Sequence, residues 1–192
     1  MAMKKESEAT PALVLGEALK HRRESLGISL RTLAGRLDFS PGFISQLEHG
    51  IVSPSIGSLE KIAHELNLSL AELFELTASQ GGKSGAAPRS VQRVTSEWSR
   101  AEIENLVTLP GAQLKAMRIS IAPGGMSGKT PHASGRERFV YVLSGAVTLT
   151  QNGTDRILAE GDAVPIAPAT SIRWHNHTDQ IARLLFVSGV GR

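Results

Sequence analysis

Two different spacings of apolar residues divide the chain. From Leu13 to residue 76, apolar residues recur every three or four positions, which is the spacing of one face of an α-helix. Beyond residue 90 they come in short runs such as LKAMRISI and RFVYVLSGAVTLT, separated by PGG, NG and EGD turns. Short apolar runs between turn signals are typical of antiparallel strands. The sequence therefore predicts a helical part followed by a strand-rich part.

Start and stop signals in the first part predict about five short helices. Leu13–Leu26 is followed by Gly27, and Ser29 and Ser40 precede the helical patterns LRTLAGRL and PGFISQLE. Serine is a preferred helix cap, and proline is favoured at the first helical position, as Pro41 is here. We expect residues 10–76 to fold as one helical domain.

The segment TASQGGKSGAAPRS, residues 77–90, contains almost no large apolar side chain. Such a Gly- and Ser-rich stretch contributes nothing to a core, so it is interpreted as a flexible linker. Residues 91–192 then form the second domain, which the spacing of strands and turns predicts to be an antiparallel barrel or sandwich.

Composition indicates the cellular compartment in which the protein is expected. The 192 residues include no cysteine, so disulfides and thiolate metal sites are absent and a reducing compartment fits. No stretch reaches the ~20 apolar residues of a membrane span, and MAMKKESEATP lacks the apolar core of a signal peptide. We expect a soluble, cytoplasmic protein with no membrane partner.

Charge is unevenly distributed between the two parts. Residues 1–76 hold eight Lys/Arg against ten Asp/Glu, a net charge of −2, and residues 77–192 hold thirteen against eight, a net charge of +5. If the first part binds DNA, attraction has to come from locally placed cations and helix ends.

The stretch SLRTLAGRLDFSPGFISQLEHGIVSPSIGSLEKIAHELNLS resembles Xre/Cro-type helix-turn-helix regulators along nearly its whole length. In such domains the second helix of the motif enters the major groove of DNA. The resemblance implies a salt bridge between Arg23 and Glu48 that ties the first helix to the third. It also implies that double-stranded DNA is the partner, in a two-fold operator bound by a dimer.

The expected DNA contacts lie on the second and third predicted helices. The resemblance assigns base and phosphate contacts to Ser40, Pro41, Gly42, Ser45 and Gln46. Gln46 is the candidate for direct readout because a carboxamide can bond an adenine edge bidentately. Ser29 and Ser40, aided by Arg31, can offer helix-start amides to phosphates, although both serines would also serve as caps without DNA.

The second part resembles the cupin barrel, an antiparallel jelly roll. Cupins carry a first motif of Gly, five residues, His-x-His, then Glu, then Gly. Gly124 opens that pattern here, with Thr130 in the place of the first histidine, His132 in the second, and Arg138 in the place of the carboxylate. In the second motif, EGDAVPIAPATSIRWHNHTD, Ile172 occupies the position of the remaining histidine. With one imidazole left, we expect no metal and no cofactor.

Two alternatives to this interpretation stay open. A rearranged metal site could use His132, Glu137, His175 and His177 as ligands. Strand alternation, however, favours placing His175 and His177 on the opposite face from His132. Arg138 can simply pair with Glu137 or with an acid across the barrel. The first alternative would make the chain a metal-sensing regulator or a cupin enzyme, whereas the second would give Arg138 a purely structural role. We do not expect an enzyme, because no nucleophile and base pair stands out.

The remaining interior is predicted to be a ligand cavity. Its polar groups are expected to be Thr130, His132 and Arg138, and its apolar walls Ile172 and Trp174. Arginine binds carboxylates and phosphates bidentately, so the predicted effector is a small anionic metabolite. Taken together, these features predict a ligand-responsive transcriptional regulator, a repressor rather than an enzyme, that forms a homodimer through its cupin domain.

Overall fold

The first part of the chain is helical, as predicted. The computed structural model describes residues 10–80, 93–106 and 114–189. The helices in it are α1 (Pro11–Ser25), α2 (Leu30–Leu37), α3 (Pro41–Glu48), α4 (Ile56–Glu65) and α5 (Leu70–Gln80).

Serine side chains begin four of these helices. The Oγ atoms of Ser29, Ser40, Ser55 and Ser69 each accept a hydrogen bond, 3.1 Å long, from the backbone amide three residues later. Each bond satisfies one of the four amides that a helix start leaves without a partner inside the helix. The sequence signals therefore located the starts of α2 and α3 correctly.

The predicted end of the helical domain needs a correction. We expected the linker to begin at Thr77, but α5 continues to Gln80. The four residues TASQ contain neither glycine nor proline, so nothing in them stops a helix that is already formed. Residues 81–90 of the expected linker lie outside the described residues.

The second part is a β-barrel built from two antiparallel sheets, which confirms the predicted fold class. The larger sheet has the strand order β1-β2-β3-β9-β4-β7 and the smaller one β6-β5-β8. The strands are β1 (Arg93–Ser96), β2 (Ala101–Asn105), β3 (Leu114–Ile121), β4 (Arg138–Ser144), β5 (Ala146–Gln151), β6 (Thr154–Ala159), β7 (Ala163–Ile166), β8 (Ile172–His175) and β9 (Ala182–Gly189).

Side chains alternate between the two faces of each strand, and this sets what lies inside the barrel. On β4, Arg138 is buried together with the apolar residues Val140 and Val142. The alternating residues Phe139, Tyr141 and Leu143 are 36–43% exposed on the outer face. A charged side chain thus takes part in an otherwise apolar interior face.

The helical and strand-rich parts are packed against each other through α4. Leu59, Ile62 and Ala63 of α4 are buried in the core of the helices. Ile56, at the start of the same helix, lines a cavity together with Ile119 and Trp174 of the barrel. Buried apolar side chains of both parts consequently form a single cluster.

Candidate functional site

The predicted DNA-binding residues lie at the starts of α2 and α3. Ser29 and Ser40 are exposed caps, and Arg31 is exposed in the first turn of α2. A helix start carries partial positive charge and free amides, which suits it to a phosphate. Both serine hydroxyls already accept a bond from their own helix, so the caps do not depend on DNA.

Helix α3 buries one face and exposes the other. Ile44, Leu47 and Glu48 are buried. Pro41, Gly42 and Gln46 are exposed, and Ser45 is half-buried. All five predicted contact positions on and before α3 therefore stand at or near the surface, which is where a groove-reading side chain has to be.

Phe43 does not belong to the exposed face of α3. It is half-buried, and its ring packs edge-on against Phe39, with centroids 5.1 Å apart. An edge-to-face arrangement is a favoured geometry for aromatic pairs. Phe43 therefore packs against the turn before α3, and the exposed surface of the helix centres on Gln46.

A buried ion pair connects α1 to α3, as the family resemblance implied. Arg23 Nε and Nη2 donate to the two carboxylate oxygens of Glu48 at 2.6 and 2.9 Å, and Arg23 Nη1 donates to the Ile28 carbonyl at 2.9 Å. Hydrogen bonding to the Glu48 carboxylate, which accepts from Arg23, is the main cause that raises the pKa of Arg23, against the opposing effect of burial. Because every bond is charge-assisted, the pair holds the last residue of α3 firmly against α1.

The barrel interior contains two cationic or potentially cationic side chains. His132 is 2% exposed and Arg138 is 6% exposed. Trp174 and Ile172 are also buried, and the backbone of His132 pairs with that of Ile172. Four of the five predicted ligand-site residues therefore point into the barrel.

Thr130 is the fifth, and its predicted placement inside the barrel is wrong. It is exposed and lines a groove with Trp98, Lys129 and Phe43 at the boundary between the two parts. Thr130 lies in a bend before the isolated bridge formed by His132. Because this segment is not a regular strand, the alternation that would have turned Thr130 inward does not apply.

A carboxylate from the helical domain enters the barrel between His132 and Arg138. Glu60 of α4 accepts hydrogen bonds from Arg138 Nη1 at both of its oxygens, at 3.1 and 3.0 Å. Its Oε2 also lies 2.7 Å from Nε2 of His132. Glu137, the expected partner next to Arg138, is exposed. Arg138 therefore pairs with an acid, but that acid comes from the other domain.

The surroundings hold Glu60 in its ionised form. Burial by itself would raise its pKa, but attraction to His132 and Arg138 and the hydrogen bonds from both lower the pKa of Glu60 to about 2. A buried carboxylate that stays charged requires such compensation. His132 and Arg138 thus hold the ionised carboxylate of Glu60 inside the barrel.

The barrel also caps the start of α4 from outside the helix. The Ile56 amide donates to Ser99 Oγ at 3.1 Å, and the Gly57 amide donates to the Ser127 carbonyl at 2.7 Å. Neither amide has a partner available within its own helix, because the first turn lacks preceding carbonyls. The docking of α4 therefore satisfies backbone groups as well as side chains.

Gly57 permits this close approach. A Cβ atom at that position would lie 2.9 Å from Nδ1 of His132 and 3.2 Å from the Ser127 carbonyl oxygen. Glycine is otherwise unfavourable inside a helix by about 1 kcal/mol. The glycine is explained by the contact with the barrel.

The interior is filled, which corrects the expectation of an open ligand cavity. The space bounded by Ile56, Glu60, His132 and Trp174 has a volume of only about 10 Å³. A volume of about 10–15 Å³ is the least that holds one water molecule. Side chains of α4 take up the space in which we expected an effector.

Comparisons with known proteins match both parts of the chain. Residues 19–73 match the helix-turn-helix family and residues 117–188 match the cupin domain family. The transcriptional regulator SutR of Escherichia coli (strain K12) is 26% identical over 169 residues, 88% of this chain and 90% of its own. The transcriptional regulator PuuR of the same organism is 28% identical over 181 residues, 90% of this chain and 93% of its own. The chain is a transcriptional regulator with an Xre-type helix-turn-helix domain and a cupin domain.

A solved structure supports the fold of the whole regulator. The crystal structure of an HTH_3 family transcriptional regulator from Vibrio cholerae superposes with a TM-score of 0.74. It covers 94% of this chain and 97% of its own, at 22% sequence identity. The agreement therefore extends over both domains.

The residues of this regulator do not fit the metal that cupin domains commonly hold. Of the four ligand positions, Thr130 is exposed, Ile172 is apolar, and Arg138 brings a positive charge next to His132. Among residues 10–80, 93–106 and 114–189, no group of three or more His, Asp or Glu side chains is arranged to hold a metal ion. A divalent cation needs several donors and no neighbouring guanidinium.

The rearranged histidine site also lacks a full donor set. His175 and His177 lie together, with ring centroids 3.6 Å apart. Partial burial, followed by the proximity of His177 and Arg173, lowers the pKa of His175. The two histidines interact with each other, and Glu137 is exposed in the loop before β4. They are therefore part of the surface of β8 and the turn after it.

Sequence reasoning missed Ile56, Gly57 and Glu60. The helical pattern of α4 drew attention to the face that carries Leu59 and Ile62. Ile56 and Glu60 are four residues apart and share another face, and a glycine lies between them where helix formers are preferred. That combination was a usable sign of a second packed face, although it does not reveal which residues cover it.

Proposed function

We propose that this DNA-binding regulator is a cytoplasmic repressor that responds to a small anionic metabolite bound in the cupin barrel without a metal. No helix among the described residues is long and apolar enough to cross a membrane. The helical domain binds a two-fold operator, and the barrel binds the effector and holds two copies together.

The pairing of His132 and Arg138 with a carboxylate is the observation that carries this proposal. Two nearly fully buried side chains converge on one carboxylate oxygen, at 2.7 and 3.0 Å. Binding sites for small organic ligands are mostly apolar with a few converging polar groups. The interior around Trp174 and Phe186 has that composition, and its polar groups select an anion.

DNA recognition is assigned to the exposed positions on and before α3. Gln46 reads a base edge, and Ser40, Pro41, Gly42 and Ser45 position the helix against the backbone and the groove. Ser29 and Arg31 contact phosphate at the start of α2. Because Pro41 and Gly42 offer no polar side chain, part of the specificity comes from DNA shape.

The outer face of β4 supports a homodimer. Phe139, Tyr141 and Leu143 form an apolar row on the outside of the larger sheet, and β9 places Leu185 and Val187 next to it. Exposed apolar patches on a sheet are typical of protein contacts. A two-fold dimer through this face presents two α3 helices to half-sites about 34–36 Å apart.

Two measurements test the proposed function. Capture of genomic fragments by the purified regulator is expected to enrich a palindromic site, and no enriched site would favour an enzymatic role for the barrel. A thermal-shift screen of small carboxylates and phosphates is expected to give hits that disappear in Arg138→Ala. The control Arg183→Ala removes an exposed arginine from β9 of the same barrel and is expected to keep the hits.

A further inference from the structure

Glu60 occupies the barrel in the way a bound ligand would. Its carboxylate meets His132 and Arg138, while Ile56, one helical turn earlier, meets the apolar wall formed by Ile119, Ile121 and Phe186. The two side chains together present a carboxylate attached to a branched aliphatic group. The chemistry of the pocket is therefore matched to a molecule of that kind.

Arg138 is only partly used by Glu60. Both carboxylate oxygens bond to the same nitrogen, Nη1. Among the described residues, Nε and Nη2 of Arg138 are buried and have no hydrogen-bond partner. A carboxylate that engages two guanidinium nitrogens side by side makes the stronger, bidentate pair. A free ligand is able to adopt that geometry, whereas Glu60 is fixed by the position of α4.

We infer that Glu60 is an internal competitor for a carboxylate-binding site, and that a short branched aliphatic carboxylate binds His132 and Arg138 by displacing α4 from the barrel. This inference rests on the proposed function, because it names the ligand class and the switch of that same site. The site cannot hold both carboxylates, since the two cavities that border Glu60 have volumes of only about 10 and 30 Å³.

Displacement of α4 reaches the DNA-binding surface through the core of the helices. Leu59, Ile62 and Ala63 lie on the other side of α4 and are buried against the remaining helices, and α4 contacts α2. A rigid helix that leaves the barrel takes that core with it. Ligand binding therefore frees the helical domain from a fixed placement on the barrel, and in a dimer it changes the separation of the two α3 helices.

The amides of Ile56 and Gly57 give a direct readout of docking. Both donate to the barrel, whereas the Ser58 amide donates to Ser55 Oγ within α4's own cap. Residue-specific hydrogen exchange on the full chain therefore separates undocking from helix unfolding. When α4 leaves the barrel, protection is lost at Ile56 and Gly57 and kept at Ser58.

The experiment titrates the full chain with sodium 3-methylbutanoate, with the neutral 3-methylbutanamide as the control compound. The carboxylate is expected to expose the Ile56 and Gly57 amides, and the amide compound to leave them protected. Glu60→Gln removes the competing charge, so this variant is expected to bind 3-methylbutanoate at least about tenfold more tightly than the wild type. Glu65→Gln is the matched control, because Glu65 of the same helix pairs with the exposed Arg36.

Gly57→Ala tests docking without altering any charge. The added methyl group collides with His132 and Ser127, so the Ile56 and Gly57 positions are expected to lose protection by about tenfold or more in the absence of ligand. Gly35→Ala in α2, where nothing lies within 4 Å of the new atom, is expected to leave that protection unchanged. This arm stands even if Glu60→Gln fails to fold.

Each outcome decides the inference. Tighter binding to Glu60→Gln together with ligand-induced exposure of the two amides supports it. Equal affinity for the wild type and Glu60→Gln, or no binding of 3-methylbutanoate to either, overturns it. Operator affinity, measured with and without 3-methylbutanoate, tests the proposed function separately. If the ligand exposes the two amides but does not change operator affinity, the regulatory role is refuted and the carboxylate site stands.

Discussion

The buried ion pair between Arg23 and Glu48 gives a sharp prediction about the stability of the helical domain. Replacing Arg23 by Met removes one partner and leaves the Glu48 carboxylate, whose side chain is 2% exposed, without its two guanidinium bonds. Water cannot replace those bonds without opening the contact between α1 and α3. We expect a large loss of stability at 25 °C from this single change.

The size of the loss follows from the geometry of the pair. Breaking a buried pair from one side costs about 3–5 kcal/mol, because the remaining charge is uncompensated. Domains of this size have a free energy of unfolding of about 5–15 kcal/mol, so the variant should be close to unfolding. Replacing both partners, in Arg23→Met/Glu48→Leu, removes the stranded charge, and we expect it to recover most of the lost free energy.

Urea denaturation distinguishes the unfolding of the helices from the unfolding of the barrel. Both tryptophans of the chain, Trp98 and Trp174, belong to the strand-rich part, so tryptophan fluorescence follows the barrel and its contact with the helices, and far-ultraviolet circular dichroism follows mainly the helices. The midpoint of the helical transition is expected to fall in Arg23→Met and to return in the double variant. The fluorescence transition should shift less than the helical one.

The exposed pair between Arg36 and Glu65 is the matched control. Arg36 is 52% exposed in its side chain, and its bond to Glu65 is 2.8 Å long. Removing it by Arg36→Met should cost less than about 1 kcal/mol, because surface ion pairs contribute little. A loss below about 1 kcal/mol in Arg23→Met, or a double variant as unstable as the worse single one, would refute the reasoning.

Three further predictions concern recognition, pH and assembly. Gln46→Ala is expected to weaken discrimination at one A·T pair of the operator by about 1–3 kcal/mol with an unchanged circular dichroism spectrum; full discrimination in competition binding would exclude Gln46 as the reader. Because the pKa of Glu60 is lowered to about 2 from an ordinary 4.5, the stability that it contributes is complete above pH 4.5 and is lost as the pH falls toward 2, up to about 3 kcal/mol. Urea midpoints of the wild type should therefore fall over that range more than those of Glu60→Gln, and parallel curves would contradict this. Phe139→Asp on the outer face of β4 is expected to convert dimers to monomers in light scattering, and a variant that stays dimeric would move the interface elsewhere.

Much of the fold was predictable because its signals are local. Serine caps, the glycine after α1 and the change from helical to strand spacing each act within a few residues. The pairing of Arg23 with Glu48 was available only through the family resemblance, since the two residues are 25 positions apart. The end of α5 was misjudged because TASQ favours no structure strongly.

The candidate site was only partly predictable because it is assembled from both domains. His132 and Arg138 followed from the cupin pattern, whereas Glu137, named as a possible partner of Arg138, is exposed. Thr130 was misplaced because its segment is a bend. Glu60 is 72 residues from His132, and no periodicity within one domain shows which surface of another domain it meets.

Helix α4 belongs to two cores at once, and this limits how such regulators can be recombined. A chimera that exchanges residues 10–80 for the reader of a relative brings a foreign α4 to this barrel. The graft keeps its contact only where the incoming helix carries a glycine at the position of Gly57 and an acid at that of Glu60. The barrel and α4 therefore have to come from the same protein. The junction of a working chimera lies within the helical domain, before α4, rather than between the two domains.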